Sequence, residues 1–171
     1  HRAHSNILFA LQYGSDYTPE QMFEEHRKWD KDHAKPLAAE ILPHTNEWKP
    51  DKRLRVGYVS PDFRKHSCAY FIEPLFSSHD RSQVEIFCYS EVQKSDEMTE
   101  RAKSLSDHWY NTVGKSDPAV ADQIRQDGID ILVDLAGHTA DNRLLVFARK
   151  PAPIQVTWLG YPDTTGLEVM D

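Results

Sequence analysis

Three polar segments of the sequence carry the side chains best suited to chemistry. They are residues 60–67 (SPDFRKHS), which contain His66, residues 134–140 (DLAGHTA), which contain His138, and residues 160–166 (GYPDTTG). Together they supply two imidazoles, three carboxylates and several hydroxyls on a backbone bent by Gly and Pro. Such groups can bind a hydroxyl-rich ligand and transfer protons. Because loops are polar in most proteins, solvated turns are an equally good interpretation at this point.

Each segment follows an apolar run of strand length. Such runs occupy residues 54–59, 84–89, 129–133 and 154–159, with a weaker one at 108–112. Helical patterns lie between them, near residues 69–78, 97–106, 118–126 and 143–148. Strands that alternate with helices predict a parallel sheet covered on both faces, in a Rossmann-like α/β lobe. Ligands bind beyond the carboxyl ends of such strands, so we expect the three segments to converge on one edge.

The first 52 residues have a different pattern. A capping box at Thr18–Gln21 predicts a helix start, and large side chains then recur at helical spacing over Met22–His33, which indicates packing. Pro, Asn and charged residues over 36–52 predict a connector. We therefore predict a helical linker or appendage over residues 1–52, with little core of its own, and the α/β lobe over residues 53–171.

Composition and charge exclude several classes of function. The 171 residues have a formal net charge of −7 and no clustered basic side chains, so no nucleic-acid partner is expected. The apolar runs are too short to cross a bilayer, and Cys68 and Cys88 have neither disulfide nor metal-site spacing. We expect a cytoplasmic location, no membrane contact and no bound metal. No glycine-rich phosphate loop follows a strand, so this lobe is not expected to hold a diphosphate by itself.

Four long segments of the lobe form a joint pattern. They are residues 54–63 (LRVGYVSPDF), 66–74 (HSCAYFIEP), 127–139 (DGIDILVDLAGHT) and 149–162 (RKPAPIQVTWLGYP). With these segments the chain resembles the O-linked N-acetylglucosamine transferase and SPINDLY family of protein glycosyltransferases (glycosyltransferase family 41-like), in particular its bacterial and SPINDLY-type members. Residues 4–11 also look like the stretch that joins tetratricopeptide repeats to the catalytic region in that family.

The resemblance implies a GT-B fold, in which two Rossmann-like lobes face each other and this chain is the N-terminal, acceptor-side lobe. The implied reaction is inverting transfer of a sugar from a nucleotide diphosphate to Ser or Thr hydroxyls of proteins, without a required metal or other cofactor. The co-substrate is UDP-N-acetylglucosamine or, as in some SPINDLY-type members, GDP-fucose. The implied partners are the acceptor protein, upstream tetratricopeptide repeats and a C-terminal lobe. We expect residues 1–171 alone to be inactive.

The resemblance also assigns roles to single residues. His66 matches the histidine proposed as the family's catalytic base, with orientation of other groups or capping of the next helix as alternatives. His138 and Thr139 match a loop that lines the donor sugar and phosphate region, with loop structure as the alternative. Tyr161 and Thr164 match the Gly-Tyr-Pro loop that approaches the cleft.

Thr165 completes that loop and shares its predicted contact with donor or acceptor. Supporting roles are predicted for Asp62, which could position His66 or cap a helix, and for Asp134. A carboxylate at a strand end such as Asp134 commonly binds the amides of the next turn.

A non-catalytic protein-interaction module that keeps the lobe's fold is the alternative function.

Overall fold

The computed structural model of the protein describes residues 1–171 and has a five-stranded parallel sheet at its centre. The strands are β1 (Leu54–Ser60), β2 (Val84–Ser90), β3 (His108–Asn111), β4 (Ile131–Asp134) and β5 (Ile154–Thr157). Their order across the sheet is β3-β2-β1-β4-β5, and every neighbouring pair is parallel. This is the strand order of the Rossmann fold, so the predicted fold class is confirmed.

Six α-helices precede or connect the strands. They are α1 (Arg2–Leu11), α2 (Pro19–Trp29), α3 (Ser67–Ser78), α4 (Glu97–Ser104), α5 (Asp117–Gln126) and α6 (Leu144–Phe147). The predicted capping box of α2 is present, because Thr18 and Gln21 exchange side-chain to backbone hydrogen bonds. Gly128, with a φ of +63°, follows the end of α5. None of the helices combines the length and the apolar character that a bilayer crossing requires.

The direction of strand order reverses at β1. From β1 the chain builds outward through β2 to β3, then returns to add β4 and β5 on the other side. Gly57 allows close packing at this central strand, because a Cβ there would lie 2.9 Å from a methyl carbon of Leu132. The crevice beyond the carboxyl ends of β1 and β4 is therefore the expected ligand position in this fold.

β5 ends before its apolar run does. The run continues to Leu159, but the strand stops at Thr157 because the chain then makes a γ-turn. The N–H of Gly160 donates to the carbonyl of Trp158 at 3.0 Å, and Leu159 has a φ of +75°. This backbone conformation is rare for a non-glycine residue. The turn places Gly160 against the backbone that follows β4.

The segment before the sheet contributes directly to the core. Between α2 and β1 the chain forms a π-helical turn (Asp30–Ala34) and a 3-10 helix (Lys35–Glu40). Leu8 and Trp29 are fully buried and share one apolar cluster with residues of β1, β4 and α6. Residues 1–52 therefore share one core with the sheet rather than forming a separate one, because these helices and the sheet bury each other's apolar side chains.

The helical stripe predicted over Met22–His33 is mostly packing. Met22, His26 and Trp29 are buried, whereas Phe23 is 47% exposed. Of the predicted connector over residues 36–52, residues 41–49 have no regular secondary structure, whereas residues 36–40 belong to the 3-10 helix.

Candidate active site

A cavity of about 690 Å³ opens at the carboxyl ends of β1, β2 and β4. It lies at the reversal of strand order, where this fold binds ligands. Its lining comes from residues within 61–66, 91–96 and 139–141 and from Phe9 of α1. Most of these side chains are polar or charged. The cavity is therefore suited to a polar ligand rather than to an apolar one.

His66 lies where the loop after β1 enters α3. Its side chain is 37% exposed and lines the cavity. Nδ1 accepts a hydrogen bond from the N–H of Cys68 at 3.3 Å, so His66 is the N-cap of α3. The capping alternative is thus present, together with access to the cavity. Because Nδ1 is an acceptor, the neutral ring carries its hydrogen on Nε2.

Asp62 stabilises the loop that carries His66. Its N–H donates to the Ser60 hydroxyl oxygen at 2.9 Å, and its carboxylate accepts from the Arg64 guanidinium at 3.1 Å. The other carboxylate oxygen lies 3.7 Å from His66 Nδ1, which is too long for a hydrogen bond. If the ring turned toward Asp62 and its hydrogen moved from Nε2 to Nδ1 by exchange with solvent, Nδ1–H would donate to this carboxylate and Nε2 would be free to accept a proton.

Asp134 organises the loop after β4 from within the protein. Its buried carboxylate accepts from the amides of Ala136 at 3.1 Å and Gly137 at 2.8 Å, and from the Thr157 hydroxyl at 2.8 Å. These bonds are those of a loop-supporting carboxylate. Thr139 follows in the same loop and lines the cavity, while its hydroxyl donates to the Ala136 carbonyl at 2.8 Å.

His138 is directed into the protein and not into the cavity. The residue is 0% exposed, and both ring nitrogens are used. Nε2–H donates to the Thr165 carbonyl at 2.8 Å, which leaves Nδ1 to accept from the Ser5 hydroxyl at 3.1 Å. The ring also packs edge to face against Trp29 and His26. In this structure His138 thus joins α1 to the loop after β5, and contact of His138 with a ligand stays a prediction.

The burial of His138 makes stability dependent on pH. Desolvation is the main cause that lowers the pKa of His138 from 6.5 to about 4. As pH falls below about 6.5 the unfolded chain binds the proton first, so the stabilisation present at neutral pH is lost progressively down to about pH 4. The full difference corresponds to roughly 3 kcal/mol.

Urea unfolding between about pH 7 and about pH 4 measures this loss. We expect the free energy of unfolding to fall less over this range in His138→Phe, which cannot titrate, than in the unmodified protein. Equal pH dependence in both would contradict the assignment to His138.

The loop over residues 160–166 packs against α1, α2 and the loop after β4. The Tyr161 ring lies against Gly137, whose φ of +53° and lack of a side chain permit this approach. His26 donates from Nδ1 to the Met22 carbonyl at 2.7 Å, so its Nε2 accepts from the Tyr161 hydroxyl at 2.8 Å. Tyr161 therefore connects this loop to α2 and does not line the cavity.

The two threonines of this loop also lie away from the cavity. Thr165 is buried and its carbonyl accepts from His138, while the Thr164 hydroxyl accepts from the N–H of Gly166 at 3.1 Å. Among the predicted site residues the cavity gathers Asp62, His66 and Thr139. Ligand contact by Tyr161, Thr164 and Thr165 stays a prediction.

Sequence reasoning missed the loop after β2. That loop supplies Glu91, Lys94 and Asp96 to the cavity. The rule that selected the other loops applies to it equally, since it follows the carboxyl end of a strand, but it contains no imidazole to attract attention. Nothing in the sequence indicated that Phe9 lines the cavity, because only tertiary packing brings α1 to this place.

The cavity carries more negative than positive side chains. Arg64 and Lys94 are the cations of its lining, against four carboxylates at positions 62, 91, 96 and 141. A site binds pyrophosphate most readily when cationic side chains outnumber anionic ones, or when a free helix N-terminus supplies backbone N–H donors. The side chains around this cavity therefore do not favour a diphosphate by themselves, in agreement with the lack of a phosphate-binding loop motif.

Solved and curated proteins resemble this chain over nearly all of its length. A structure of a mutant O-GlcNAc transferase from Thermobaculum terrenum is 44% identical, with a TM-score of 0.94, and the match covers 100% of this chain and 33% of that one. A probable UDP-N-acetylglucosamine–peptide N-acetylglucosaminyltransferase SPINDLY from Hordeum vulgare is 41% identical, over 99% of this chain and 18% of its own length. The UDP-N-acetylglucosamine–peptide N-acetylglucosaminyltransferase of Caenorhabditis elegans is 40% identical, over 84% of this chain and 13% of its own length.

This chain thus spans about a fifth of the length of the SPINDLY relative and a third of the solved structure. The sequence profile described as glycosyl transferase family 41 matches residues 2–171. The match includes both the helical segment and the α/β lobe, and it agrees with the resemblance found in the sequence. The chain belongs to glycosyl transferase family 41.

Proposed function

We propose that this chain is the N-terminal, acceptor-side lobe of an inverting protein O-glycosyltransferase. The observation that supports this most directly is the polar cavity at the reversal of strand order, lined by His66, in a chain of family 41. In the proposed reaction a Ser or Thr hydroxyl oxygen of an acceptor protein attacks the anomeric carbon of a nucleotide sugar. The bond from that carbon to the diphosphate breaks, the nucleoside diphosphate leaves, and the hydroxyl proton is transferred to a base. No metal is required.

His66 has two distinct roles open to it in this reaction. While Nδ1 caps α3, the Nε2–H of His66 can donate a hydrogen bond to a ligand oxygen and so orient the ligand. With Nδ1–H turned toward Asp62, Nε2 presents a lone pair and can take the acceptor's proton. If His66 keeps the capping arrangement throughout, an oxygen of the donor's own phosphate takes that proton instead.

The donor's diphosphate is assigned to a second lobe. The excess of carboxylates around the cavity supports this, because the charge that a diphosphate needs must come from elsewhere. UDP-N-acetylglucosamine is the donor in the names of the relatives. GDP-fucose is the other candidate, since residues 137–142 and 164–166 resemble the SPINDLY type.

Incubating the full-length protein with either labelled nucleotide sugar tests this function. The acceptor is a Ser- and Thr-containing peptide, and a peptide with Ala at every such position is the control. We expect label from one donor to enter only the hydroxyl-containing peptide. Transfer from neither donor would favour the alternative of a non-catalytic interaction module.

The same assay applied to residues 1–171 tests the division of the site between two lobes. We expect no turnover from this chain alone, because its cavity lacks the charge to hold a diphosphate. Turnover by the isolated chain at a rate comparable to that of the full-length protein would refute the shared site.

A further inference from the structure

Asp62, His66 and Cys68 bring three different metal-ligating atoms to one place beside the cavity. A carboxylate oxygen, a ring nitrogen and the thiol sulfur all lie within 4.8 Å of one another. The oxygen and the nitrogen are 3.7 Å apart. Bond lengths of about 2.0–2.3 Å place neighbouring ligand atoms of a tetrahedral zinc site roughly 3.3–3.7 Å apart. Small side-chain movements are enough to reach that geometry.

The proton already sits on the correct nitrogen of His66 for metal ligation. Nδ1 accepts from the N–H of Cys68, so its lone pair is directed inward, on the side of Cys68. A metal ligand must present such a deprotonated nitrogen. A cation would replace the amide of Cys68 as the partner of the Nδ1 lone pair, while Nε2–H stays available to solvent or to a hydroxyl.

The ligand set favours zinc over the hard divalent cations. Imidazole and thiolate are preferred zinc ligands, whereas magnesium and calcium prefer oxygen alone. Cys68 is the second residue of α3, and burial beside the Asp62 carboxylate raises the pKa of its thiol, so a bound metal ion must displace the thiol proton. Two anionic ligands would balance the charge of one divalent cation.

One positive charge opposes the site. Arg64 donates to the Asp62 carboxylate at 3.1 Å, but its side chain is half-exposed and screened by solvent. It can move away from the carboxylate without disturbing the core.

We propose that Asp62, His66 and Cys68 form a zinc site whose fourth position opens to the cavity. The thiol proton passes to solvent as the metal–sulfur bond forms. A zinc ion there would hold the His66 ring in place and occupy the Nδ1 lone pair, so that Nδ1 could not take up the hydrogen it needs to donate to Asp62. Zinc binding does not depend on the proposed transfer reaction, but its inhibitory effect rests on that proposal.

Cobalt titration of the 171-residue chain tests the site, with the metal ion as the probe. We expect one cobalt ion per chain, with the visible bands of a tetrahedral centre and a near-ultraviolet thiolate-to-cobalt band, both bleached by added zinc. Cys68→Ser should lose the thiolate band and weaken zinc affinity at least tenfold, and Asp62→Asn should weaken affinity without removing the band.

Two matched variants identify the atoms involved. Cys88→Ser alters the other thiol of the chain, which is buried in β2, and should leave the spectrum unchanged. His33→Asn removes one of a pair of ring nitrogens, on His4 and His33, that lie 3.1 Å apart and could bind metal elsewhere. A spectrum without a thiolate band, a band that survives Cys68→Ser, or binding lost in His33→Asn would overturn the proposal.

Zinc inhibition of the full-length protein is a separate test. We expect transfer to fall at least tenfold at saturating zinc, to recover on chelation, and to lose this sensitivity in Cys68→Ser. Inhibition of equal size in Cys68→Ser would overturn the inhibitory role, whereas the cobalt spectrum alone decides whether the site exists.

Discussion

Replacing His66 with Ala is expected to lower kcat/KM for sugar transfer by the full-length protein by about 10²- to 10⁴-fold. This is the usual contribution of a side chain that moves a proton in the transition state. His66 is the imidazole that reaches the cavity, since the ring of His138 is buried and fully hydrogen-bonded. Initial-rate measurements on purified protein give the loss directly.

His66→Asn separates the chemistry from the capping role. Asn is among the best N-cap residues, so it can still accept from the N–H of Cys68, whereas Ala loses a cap interaction of about 1 kcal/mol. We therefore expect unfolding midpoints close to those of the unmodified protein for Asn and lower for Ala. Both variants should lose activity to a similar extent. Retained transfer in His66→Asn would assign His66 to capping alone and leave the proton to the donor's phosphate.

Gly160→Ala is expected to destabilise the protein by about 4 kcal/mol or more, among the largest effects of a single substitution. A Cβ at Gly160 would lie 1.7 Å from the carbonyl oxygen of Leu135 and 3.3 Å from the Cα of Ala136. These are backbone atoms, which cannot rotate away as a side chain can. Relief would require the loop after β5 to separate from the loop after β4. Chemical denaturation of both proteins measures the difference.

Gly114→Ala is the matched control. Gly114 has a φ of +76°, but nothing lies within 4 Å of where its Cβ would be. The stability lost in Gly114→Ala should be limited to the cost of a left-handed backbone at a non-glycine residue, about 1–2 kcal/mol. If the two variants lost equal stability, close backbone contact at Gly160 would not be the cause.

The sheet could be predicted from the sequence because its signals are local. Apolar runs of strand length and the capping signals at Thr18 and Gly128 depend on neighbours a few residues away. The position of His66 followed from the same information, since the rule for parallel sheets needs only the end of β1. The end of β5 was missed because the apolar run continues through the γ-turn at Leu159, which places Gly160 against the loop after β4.

The sequence could not predict that the side chains of several predicted site residues point into the protein and not into the cavity. His138 bonds to Ser5 and Thr165, and Tyr161 bonds to His26, across separations of 27 to 135 residues. A polar loop residue has the same pattern whether it faces a ligand or a helix that folds over it. The helices before the sheet decide between these outcomes, and their docking depends on long-range burial rather than on any motif.

The shared core of α1, α2 and the sheet limits how this lobe can be recombined with those of its relatives. Leu8 and Trp29 complete an apolar cluster with α6, and Phe9 forms part of the cavity wall. A chimera joined near residue 52 would pair one protein's helices with another protein's sheet and mismatch both surfaces. The unit that can be exchanged is therefore the helices and the sheet together, so substitutions in α1 can reshape the cavity without altering a residue of the α/β pattern.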